Sequence, residues 1–470
     1  MSIVIGRKQQ QEELSSLYQS KQSEFLVVYG RRRVGKTFLI REYFQHSFEF
    51  YVTGLANAST EDQLINFHAA LRKYSNKSLP FAKTWFEAFQ QLMELLEKSK
   101  SKKKIVFFDE LPWMDTAKSK FMSAFEHFWN SWASAQKDVK LIVCGSSTSW
   151  LMDKIINNKG GLYNRTTRQM YLKPFSLAET ELYLKSKNFA WKRQQIAECY
   201  MTFGGIPYYL SLLEKKNSLP QNVDRLLFAE DGRLKQEFSN LYASLFRFSE
   251  KYIKVVEALS KKLKGLTREE ILKATKHPDG GSFSKILNDL ELCGFIRKYN
   301  GFGKLKREAL FQLVDFYTLF YFRFVGKNRY FEEQFWANSI DSSAARAWKG
   351  YAFELLCLCH ISEIKRALGI QGVLSKVAAW KSEQSNDGAQ IDLLIERNDH
   401  VVNLCEMKFS NSEFTIDKAY FKNLQNKIET FKAETNPQQA VQLTFISTHG
   451  LKANVYSQQI QNEVILNDLF

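Results

Sequence analysis

A glycine-rich segment near the start of the chain has the residue types that hold phosphate groups. It follows the apolar residues 25–29 and precedes a helical pattern. The segment has the spacing glycine, any four residues, glycine, lysine and threonine, and consists of Gly30, Arg31, Arg32, Arg33, Val34, Gly35, Lys36 and Thr37. Between a strand and a helix, such glycines let backbone N–H groups surround an anionic phosphate. The spacing therefore predicts a nucleotide-binding P-loop.

The last two residues of this P-loop have side chains suited to nucleotide chemistry. Lys36 is predicted to reach the β- and γ-phosphates of ATP, and Thr37 is predicted to ligate Mg²⁺. ATP and Mg²⁺ are therefore the expected cofactors. The alternative is a chance glycine turn that contains a lysine, and this alternative predicts no second motif of the same class.

A second motif is present. The apolar residues 105–108 indicate a strand that ends in Asp109 and Glu110. In a Walker B element an acid at this position holds the Mg²⁺ shell, and we predict this role for Asp109. Glu110 is expected to polarise the attacking water. The alternative is a solvated turn or a helix cap.

Three further residues are candidates for sensing or neutralising phosphate charge. Ser146 follows the apolar residues 141–144, and its hydroxyl could sense the γ-phosphate or cap a helix. Arg165 and Arg168 precede the next strand and could neutralise transition-state charge, within the chain or from a neighbouring subunit. Surface arginines without a catalytic role are the alternative.

The C-terminal part of the chain contains a second set of such residues. Residues 390–408 indicate a β-hairpin. Alternation along its second strand places Glu406 and Lys408 on one face, and the hairpin can bring Asp392 beside them. Glu354 lies upstream in an apolar helix and could complete a metal shell.

Carboxylates in this arrangement can hold a hard divalent cation through oxygen. The predicted metal ligands are Glu354, Asp392 and Glu406. Lys408 would orient or deprotonate a water and stabilise a charged transition state. Asp392, Glu406 and Lys408 are thus the catalytic candidates. The alternatives are a solvent-exposed charged hairpin and a fold that binds DNA without cutting it.

The elements that must position the first set of residues follow an α/β pattern. Short apolar runs alternate with helical segments, and they comprise residues 25–29, 48–53, 105–108 and 141–144. Continuous apolar strands separated by helices predict a parallel sheet that is covered on both faces.

The middle of the chain has a different pattern. Residues 176–247 are helical, and residues 250–310 indicate three helices followed by a hairpin, which predicts a winged helix-turn-helix. Its third helix and wing could contact DNA, or the module could serve as an interdomain lever. The basic residues in question are Lys285, Lys298, Lys304, Lys306 and Arg307.

Several motifs occur together in an order typical of a known family. They are Ile5-Gly6-Arg7, the P-loop GRRRVGKT, FFDELPWM, CGSS, LYNRTTRQMYLKPFS and GGIPYYL. Residues 3–325 resemble the archaeal-type ATPases of the STAND clade within the AAA+ class. The resemblance implies that Gly6 and Arg7 lie near the adenine and that Pro207 sits in a helical lid over the nucleotide. Asn164 is a departure, since family members often have glycine before the arginine that matches Arg165.

Residues 343–470 resemble the PD-(D/E)xK nuclease superfamily, and also the C-terminal domain that often accompanies this ATPase family. Asp392, Glu406 and Lys408 match the signature of the superfamily, and Glu354 matches its helical acid. Ile391 is a departure, since a proline often stands before the first acid. The resemblance implies a metal-dependent DNA endonuclease.

Composition limits the classes that fit. A chain of 470 residues is too long for one ordinary domain. Its 66 Lys+Arg residues against 50 Asp+Glu residues give a net charge of +16, which favours a polyanionic partner such as nucleic acid, with DNA expected. The six cysteines have no CxxC spacing, so reduced and mostly buried thiols are expected.

The chain has neither of the two common signals for a membrane or secreted location. No apolar run approaches the length of about 20 residues that a membrane span needs. The first residues lack a signal-peptide pattern, so we expect a cytoplasmic protein with no membrane partner.

The sequence therefore predicts a multidomain α/β protein with a P-loop NTPase parallel sheet, a helical lid, a winged helix-turn-helix and a C-terminal PD-(D/E)xK-like domain. The expected domains are a P-loop ATPase core at 1–175, a lid at 176–247, a winged helix with a connecting helix at 248–325 and a nuclease-like domain at 343–470. The expected function is ATP hydrolysis coupled to metal-dependent DNA cleavage.

Two other functions are left open, and so is a homo-oligomer. In one, the protein is an ATP-driven conformational switch or scaffold that binds DNA or protein without cutting. In the other, less favoured because only the P-loop core suggests it, the protein is a DNA-translocating motor.

Overall fold

A computed structural model of the protein describes residues 4–75, 79–303, 309–327, 334–382 and 389–470. The chain divides into two compact units. Unit 1 comprises Met1–Pro174, Ser244–Arg247 and Leu292–Gly294, and unit 2 comprises Phe175–Ala243, Phe248–Glu291 and Phe295–Phe470. The four domains predicted from the sequence stay predictions.

Unit 1 is built on a parallel sheet. Its strands are β1 (Glu24–Tyr29), β2 (Phe50–Thr53), β3 (Lys104–Asp109), β4 (Val139–Cys144) and β5 (Arg168–Tyr171). They lie in the order β2-β3-β4-β1-β5, and all neighbouring pairs are parallel. The prediction of a parallel α/β sheet is confirmed.

The helices of unit 1 cover this sheet. They are α1 (Lys8–Gln19), α2 (Lys36–Tyr43), α3 (Thr60–Tyr74), α4 (Trp85–Lys98), α5 (Phe121–His127) and α6 (Thr148–Leu151). Every residue of β3 and β4 is buried, as expected for central strands with both faces covered. Phe25, Phe67, Phe89 and Phe108 belong to one hydrophobic core cluster between the sheet and these helices.

Unit 2 contains the remaining helices and two further sheets. The helices are α7 (Leu177–Ser186), α8 (Arg193–Phe203), α9 (Pro207–Ser211), α10 (Leu219–Val223), α11 (Glu237–Leu245), α12 (Ser249–Lys261), α13 (Arg268–Thr275), α14 (Gly281–Leu292), α15 (Phe316–Phe320), α16 (Phe335–Ser339), α17 (Ser343–Cys359), α18 (Ile361–Ala367) and α19 (Lys418–Thr435). None of the helices in the described ranges is long and apolar enough to cross a membrane.

The smaller sheet of unit 2 accompanies helices α12, α13 and α14. Its strands are β6 (Leu266–Thr267), β7 (Ile296–Tyr299) and β8 (Leu310–Leu313), in the antiparallel order β6-β8-β7. Thr267 and Glu270 form a capping box at the start of α13. Three helices and a hairpin are thus present, and their assignment as a DNA-binding winged helix stays a prediction.

The larger sheet of unit 2 is mixed. Its strands are β9 (Ser375–Lys381), β10 (Gln390–Arg397), β11 (Val401–Lys408), β12 (Ala440–Ser447) and β13 (Asn462–Ile465). The order is β13-β12-β11-β10-β9, with β9, β10 and β11 antiparallel and β11, β12 and β13 parallel. Leu394, Leu404 and Phe445 pack with Leu424 and Phe431 of α19 in one core cluster.

Candidate functional site

The P-loop connects β1 to α2 at the edge of the sheet where the strands end. Gly30 has φ of +138°, and a Cβ there would lie 2.4 Å from the carbonyl oxygen of Leu172. Gly35 has φ of +90° directly before α2. Both positions therefore require glycine, one for a close backbone approach and the other for its left-handed conformation.

Lys36 is the first residue of α2, and its ammonium group is buried. Its Nζ donates hydrogen bonds to the carbonyl oxygens of Gly30 at 2.8 Å and Arg31 at 3.0 Å. Burial lowers the pKa of Lys36, and the nearby charge of Glu110 opposes this only in part. An anionic phosphate is a stronger acceptor than a neutral carbonyl, so this ammonium is suited to bind one.

Asp109 connects the two motifs predicted from the sequence. Its Oδ1 accepts hydrogen bonds from the hydroxyl of Thr37 at 2.9 Å and the thiol of Cys144 at 2.7 Å. Burial raises the pKa of Asp109 despite these donors. The hydroxyl and the carboxylate predicted as Mg²⁺ ligands are thus adjacent.

Glu110 follows Asp109 and adopts a left-handed conformation with φ of +47°. Its Oε2 accepts hydrogen bonds from both the backbone N–H and the hydroxyl of Ser146, each at 2.9 Å. The structure therefore brings Ser146 into the site as a partner of Glu110. Its predicted contact with a γ-phosphate stays a prediction.

Gly6 and Arg7 lie against the P-loop. Both have left-handed backbone conformations, with φ of +66° and +55°. The guanidinium of Arg7 is buried and donates to the carbonyl oxygen of Val34 at 3.2 Å. These two residues therefore lie beside the loop, while their predicted contact with adenine stays a prediction.

The two arginines predicted to neutralise transition-state charge lie away from the P-loop. Arg168 is the first residue of β5 and pairs with Glu24 at 3.2 Å. Glu24 is the first residue of β1, so this ion pair lies at the edge of the sheet opposite the P-loop. Arg165 is exposed on the segment that enters β5. The structure therefore places Arg168 at the sheet edge opposite the P-loop. A role for Arg165 or Arg168 in neutralising transition-state charge, within the chain or on a neighbouring subunit, stays a prediction.

Pro207 lies in unit 2 at the start of α9. It follows the tight turn Gly204-Gly205, in which a Cβ on Gly205 would lie 2.4 Å from the carbonyl oxygen of Phe175. The Gly-Gly-x-Pro motif thus has a structural role, because it forms the turn that joins α8 to α9. Its role in a lid over the nucleotide stays a prediction.

The C-terminal candidates lie on β10, β11 and α17. Leu393 pairs with Cys405 in the antiparallel ladder, so the same register places Asp392 opposite Glu406. The pairing of β10 with β9 is irregular between Ile391 and Leu394. An irregularity of this kind can re-aim a side chain, and Asp392 lies within it.

Asp392 and Glu354 are joined by a lysine that the sequence did not single out. The Nζ of Lys264 lies 2.6 Å from Glu354 Oε2 and 2.7 Å from Asp392 Oδ2. Burial raises the pKa of Glu354, and the charge of Asp392 adds to this effect. Burial opposes the charged form of Lys264, but the two carboxylates outweigh it and raise the lysine pKa.

Glu406 has different partners. Its Oε1 accepts from the hydroxyl of Tyr420 at 2.6 Å, and its Oε2 lies 2.8 Å from Lys427 Nζ. Lys408 Nζ is 3.7 Å from Glu406 and lies over the ring of Tyr420. Burial and the neighbouring Glu406 both raise the pKa of Tyr420.

The three predicted metal ligands do not form a metal shell in this arrangement. No group of three His, Cys, Asp or Glu side chains within the described ranges could hold a metal ion. Carboxylate oxygens suit a hard divalent cation in kind, but Lys264 lies between Glu354 and Asp392, and Glu406 bonds to Tyr420 and Lys427. The arrangement as it stands therefore does not fit a divalent cation.

The basic residues of the predicted winged helix are only partly described. Lys285 pairs with Asp289 on α14 at 3.5 Å, and Lys298 lies over the ring of Phe311. Lys304, Lys306 and Arg307 lie outside the described residues. The cysteines agree with expectation except Cys359, which is exposed.

Four residues of the two sites escaped sequence reasoning. Lys264 belongs to no motif, and Cys144 belongs to the CGSS motif but was given no role. The partners of both residues are distant in sequence. Tyr420 and Lys427 are seven residues apart on α19 and so share one helix face, a signal that could have been found.

Comparison with known proteins agrees with the predicted ATPase fold of the N-terminal part. Residues 5–213 match the model of a family described as an ATPase domain predominantly from Archaea. This part of the chain is therefore similar to an ATPase domain of the archaeal type.

The relatives extend over more of the chain. An uncharacterized protein of Methanocaldococcus jannaschii is 24% identical over 432 residues, which cover 90% of this chain and 91% of that protein. The Walker-type ATPase of Pyrococcus abyssi superposes with a TM-score of 0.51 at 17% identity, over 68% of this chain and 96% of that one. This likeness shows a Walker-type ATPase fold. A STAND protein with a tetratricopeptide repeat sensor from Pyrococcus horikoshii gives a TM-score of 0.31 at 19% identity, over 79% of this chain and 52% of that one.

Proposed function

We propose that the P-loop site binds ATP with Mg²⁺ and hydrolyses it. The observation that carries this proposal is the convergence of Lys36, Thr37 and Asp109. The Thr37 hydroxyl bonds to the Asp109 carboxylate at 2.9 Å, directly after a buried lysine at the start of α2.

The residues present fit both cofactors in kind. Mg²⁺ prefers oxygen ligands and usually keeps several waters, so one hydroxyl and one carboxylate suit it beside substrate phosphates. When bound, Mg²⁺ supplies positive charge that stabilises the transferring phosphoryl group. The N-terminus of α2 and the Lys36 ammonium supply further positive charge for phosphate.

The chain's own groups would then act as follows. Lys36 exchanges its carbonyl acceptors for phosphate oxygens, and Thr37 and Asp109 orient the cation. Glu110 polarises a water while Ser146 fixes its carboxylate. An arginine of a neighbouring copy, Arg165, is the candidate for further charge neutralisation.

Two variants test this proposal. Lys36→Ala should abolish Mg²⁺-dependent release of phosphate from ATP, because the phosphate loses its buried cation. Glu110→Gln should keep ATP binding and lose about 10²-fold or more in turnover, the range for a lost general base.

Arg41→Ala is a matched control, since Arg41 lies in the last turn of the same helix. Full turnover in Lys36→Ala would refute the assignment. Lost ATP binding in Glu110→Gln would contradict the role of Glu110.

We further propose that the C-terminal domain is a metal-dependent DNA nuclease whose activity depends on the ATPase. The support is the antiparallel register that sets Asp392 opposite Glu406, with Lys408 two residues along and Glu354 on the adjoining helix. The net charge of +16 favours a nucleic-acid substrate.

The nuclease proposal is tested on supercoiled plasmid and single-stranded DNA with Mg²⁺ or Mn²⁺, with and without ATP. Lys408→Ala should lose any cutting and keep ATP turnover, because Lys408 lies in unit 2. Lys422→Ala, on the exposed face of α19, is the control. Cutting that persists in Lys408→Ala would refute this site as its source.

The second candidate function is an ATP-driven switch or scaffold that binds DNA or protein without cutting. It is favoured by the occupation of all three predicted ligands by the chain's own donors. Tight, salt-dependent DNA binding without cleavage would select it. We expect the protein in the cytoplasm, and light scattering with and without ATP would report any homo-oligomer.

A further inference from the structure

Lys264 lies where the predicted C-terminal site would hold a cation. It belongs to the short segment between α12 and β6, outside the predicted nuclease-like domain. Its ammonium lies within 2.7 Å of one oxygen of Glu354 and one of Asp392. The other oxygen of Asp392 accepts from the side-chain amide of Gln390 at 2.6 Å. The ammonium of Lys264 therefore pairs with two of the three predicted metal ligands, Glu354 and Asp392.

The segment that carries Lys264 is held in place by its backbone. Gly265 has φ of +93°, and a Cβ there would lie 2.8 Å from the carbonyl oxygen of Phe311. The carbonyl oxygen of Leu263 accepts from Gln312 at 2.8 Å and from Tyr351 at 3.1 Å. Tyr299 donates to the carbonyl oxygen of Lys264 itself. These contact residues belong to β7, β8 and α17. The small sheet and helix α17 therefore together fix the position of Lys264.

The space beside this ion cluster is too small for a second cation. The cavity lined by Lys264, Glu354, Asp392 and Tyr351 has a volume of about 10 Å³. A single water needs roughly 10–15 Å³, and Mg²⁺ usually keeps several waters. A hydrated divalent cation therefore has no room in this cavity while the Lys264 side chain occupies it.

The ammonium is nevertheless able to leave. Its side chain is 41% exposed, and a flexible stem of four methylene groups connects Nζ to the anchored backbone. Withdrawal would place the ammonium in water, while the turn keeps its hydrogen bonds. The contact is therefore reversible without unfolding of the segment.

We propose that Lys264 is an autoinhibitory residue that occupies the cation position of the C-terminal site and keeps divalent metal out. This inference rests on the proposed metal-dependent function of that domain. A divalent cation and the Lys264 ammonium compete for Glu354 and Asp392, so withdrawal of the Lys264 side chain controls metal entry. The middle module thereby regulates the C-terminal site.

The test measures Mn²⁺ binding by electron paramagnetic resonance in the full chain. Lys264→Met should bind Mn²⁺ at least tenfold more tightly than wild type, within the usual range for coupled sites. Lys264→Arg, which keeps the charge, should stay like wild type. Lys262→Met is the matched control, because Lys262 lies two residues away and its ammonium pairs with the partly exposed Glu270 at 2.6 Å. Adding Glu354→Gln and Asp392→Asn to Lys264→Met should remove the gain.

A measurement on wild type covers the case in which Lys264→Met does not fold. Reductive methylation should label Lys264 slowly without metal and faster with Mn²⁺, while labelling of Lys262 stays constant. Unchanged labelling of Lys264 at Mn²⁺ concentrations that occupy the site would overturn the proposal, as would equal Mn²⁺ affinity in wild type and Lys264→Met.

DNA cleavage separates this inference from the nuclease proposal. Cutting that is gained in Lys264→Met and lost again on adding Lys408→Ala supports both. Gained Mn²⁺ binding without cutting supports the role of Lys264 and refutes the nuclease. Cutting by wild type that is lost in Lys264→Met overturns the inference, because Lys264 would then assist catalysis rather than prevent it.

Discussion

The pairing of Ser146 with Glu110 gives a quantitative prediction for ATP turnover. Glu110 Oε2 accepts two hydrogen bonds from Ser146, one from the backbone N–H and one from the hydroxyl. Ser146→Ala removes only the second donor. A hydrogen bond to a charged group contributes about 1.5–3 kcal/mol. Because the backbone donor remains, we expect the lower end of this range, which corresponds to roughly tenfold in rate.

The assay is steady-state phosphate release at saturating ATP, with ATP affinity measured separately. Turnover should fall about tenfold at unchanged affinity, since the bond orients the carboxylate and does not bind the nucleotide. Ser146→Thr keeps the hydroxyl and should restore activity. Ser147→Ala is the control, because the Ser147 side chain makes no helix-capping hydrogen bond.

Two other outcomes would refute this reasoning. Faster turnover in Ser146→Ala would mean that Ser146 holds Glu110 away from the water. Unchanged turnover with weaker binding of ATP than of ADP would instead show that Ser146 senses the γ-phosphate.

Two predictions concern stability. Gly30→Ala should destabilise unit 1 by about 1–3 kcal/mol and weaken ATP binding, because its Cβ would lie 2.4 Å from the Leu172 carbonyl at a strained φ; urea unfolding followed by Trp fluorescence checks this, and wild-type stability would contradict it. Burial lowers the pKa of His360, whose Nε2 accepts from the backbone N–H of Leu177 at 3.1 Å. In the unfolded chain the His360 imidazole takes up a proton below about pH 6.5, while in the folded chain the same imidazole stays neutral. Unit 2 should therefore lose stability as the pH falls through that value. His360→Gln should flatten this dependence in urea titrations between about pH 7.5 and 5.5, and a slope equal to wild type would contradict the assignment.

The arrangement of the P-loop site was largely predictable because most of its residues belong to short continuous motifs. Gly30, Lys36 and Thr37 belong to one continuous segment, and Asp109 ends an apolar strand that must lie near it in a parallel sheet. The partner of Glu110 was not predictable in the same way. The pairing of Glu110 with Ser146 requires that β3 and β4 are neighbours and that Glu110 has a left-handed backbone conformation. No sequence pattern indicates either of these features.

The arginines show the opposite case. Arg165 and Arg168 lie close to β5 in sequence, but a parallel strand has two ends about 13 Å apart for four residues. The sequence around Arg165 and Arg168 does not show which end of β5 lies on the P-loop side of the sheet. The ion pair of Arg168 with Glu24 settles its location at the far edge.

The C-terminal site was predictable only in part. The hairpin register of Asp392 and Glu406 follows from alternation along two strands. Lys264 is 90 residues from Glu354 and 128 residues from Asp392, so only the tertiary fold brings it to them. A lysine in a basic chain gives no sequence signal for such a contact.

Phosphate release by wild type beside Lys36→Ala decides whether the P-loop site hydrolyses ATP. We expect Mg²⁺-dependent turnover in wild type and none in Lys36→Ala, with Arg41→Ala retaining activity. Equal turnover in wild type and Lys36→Ala would contradict it, because hydrolysis would then come from outside this site.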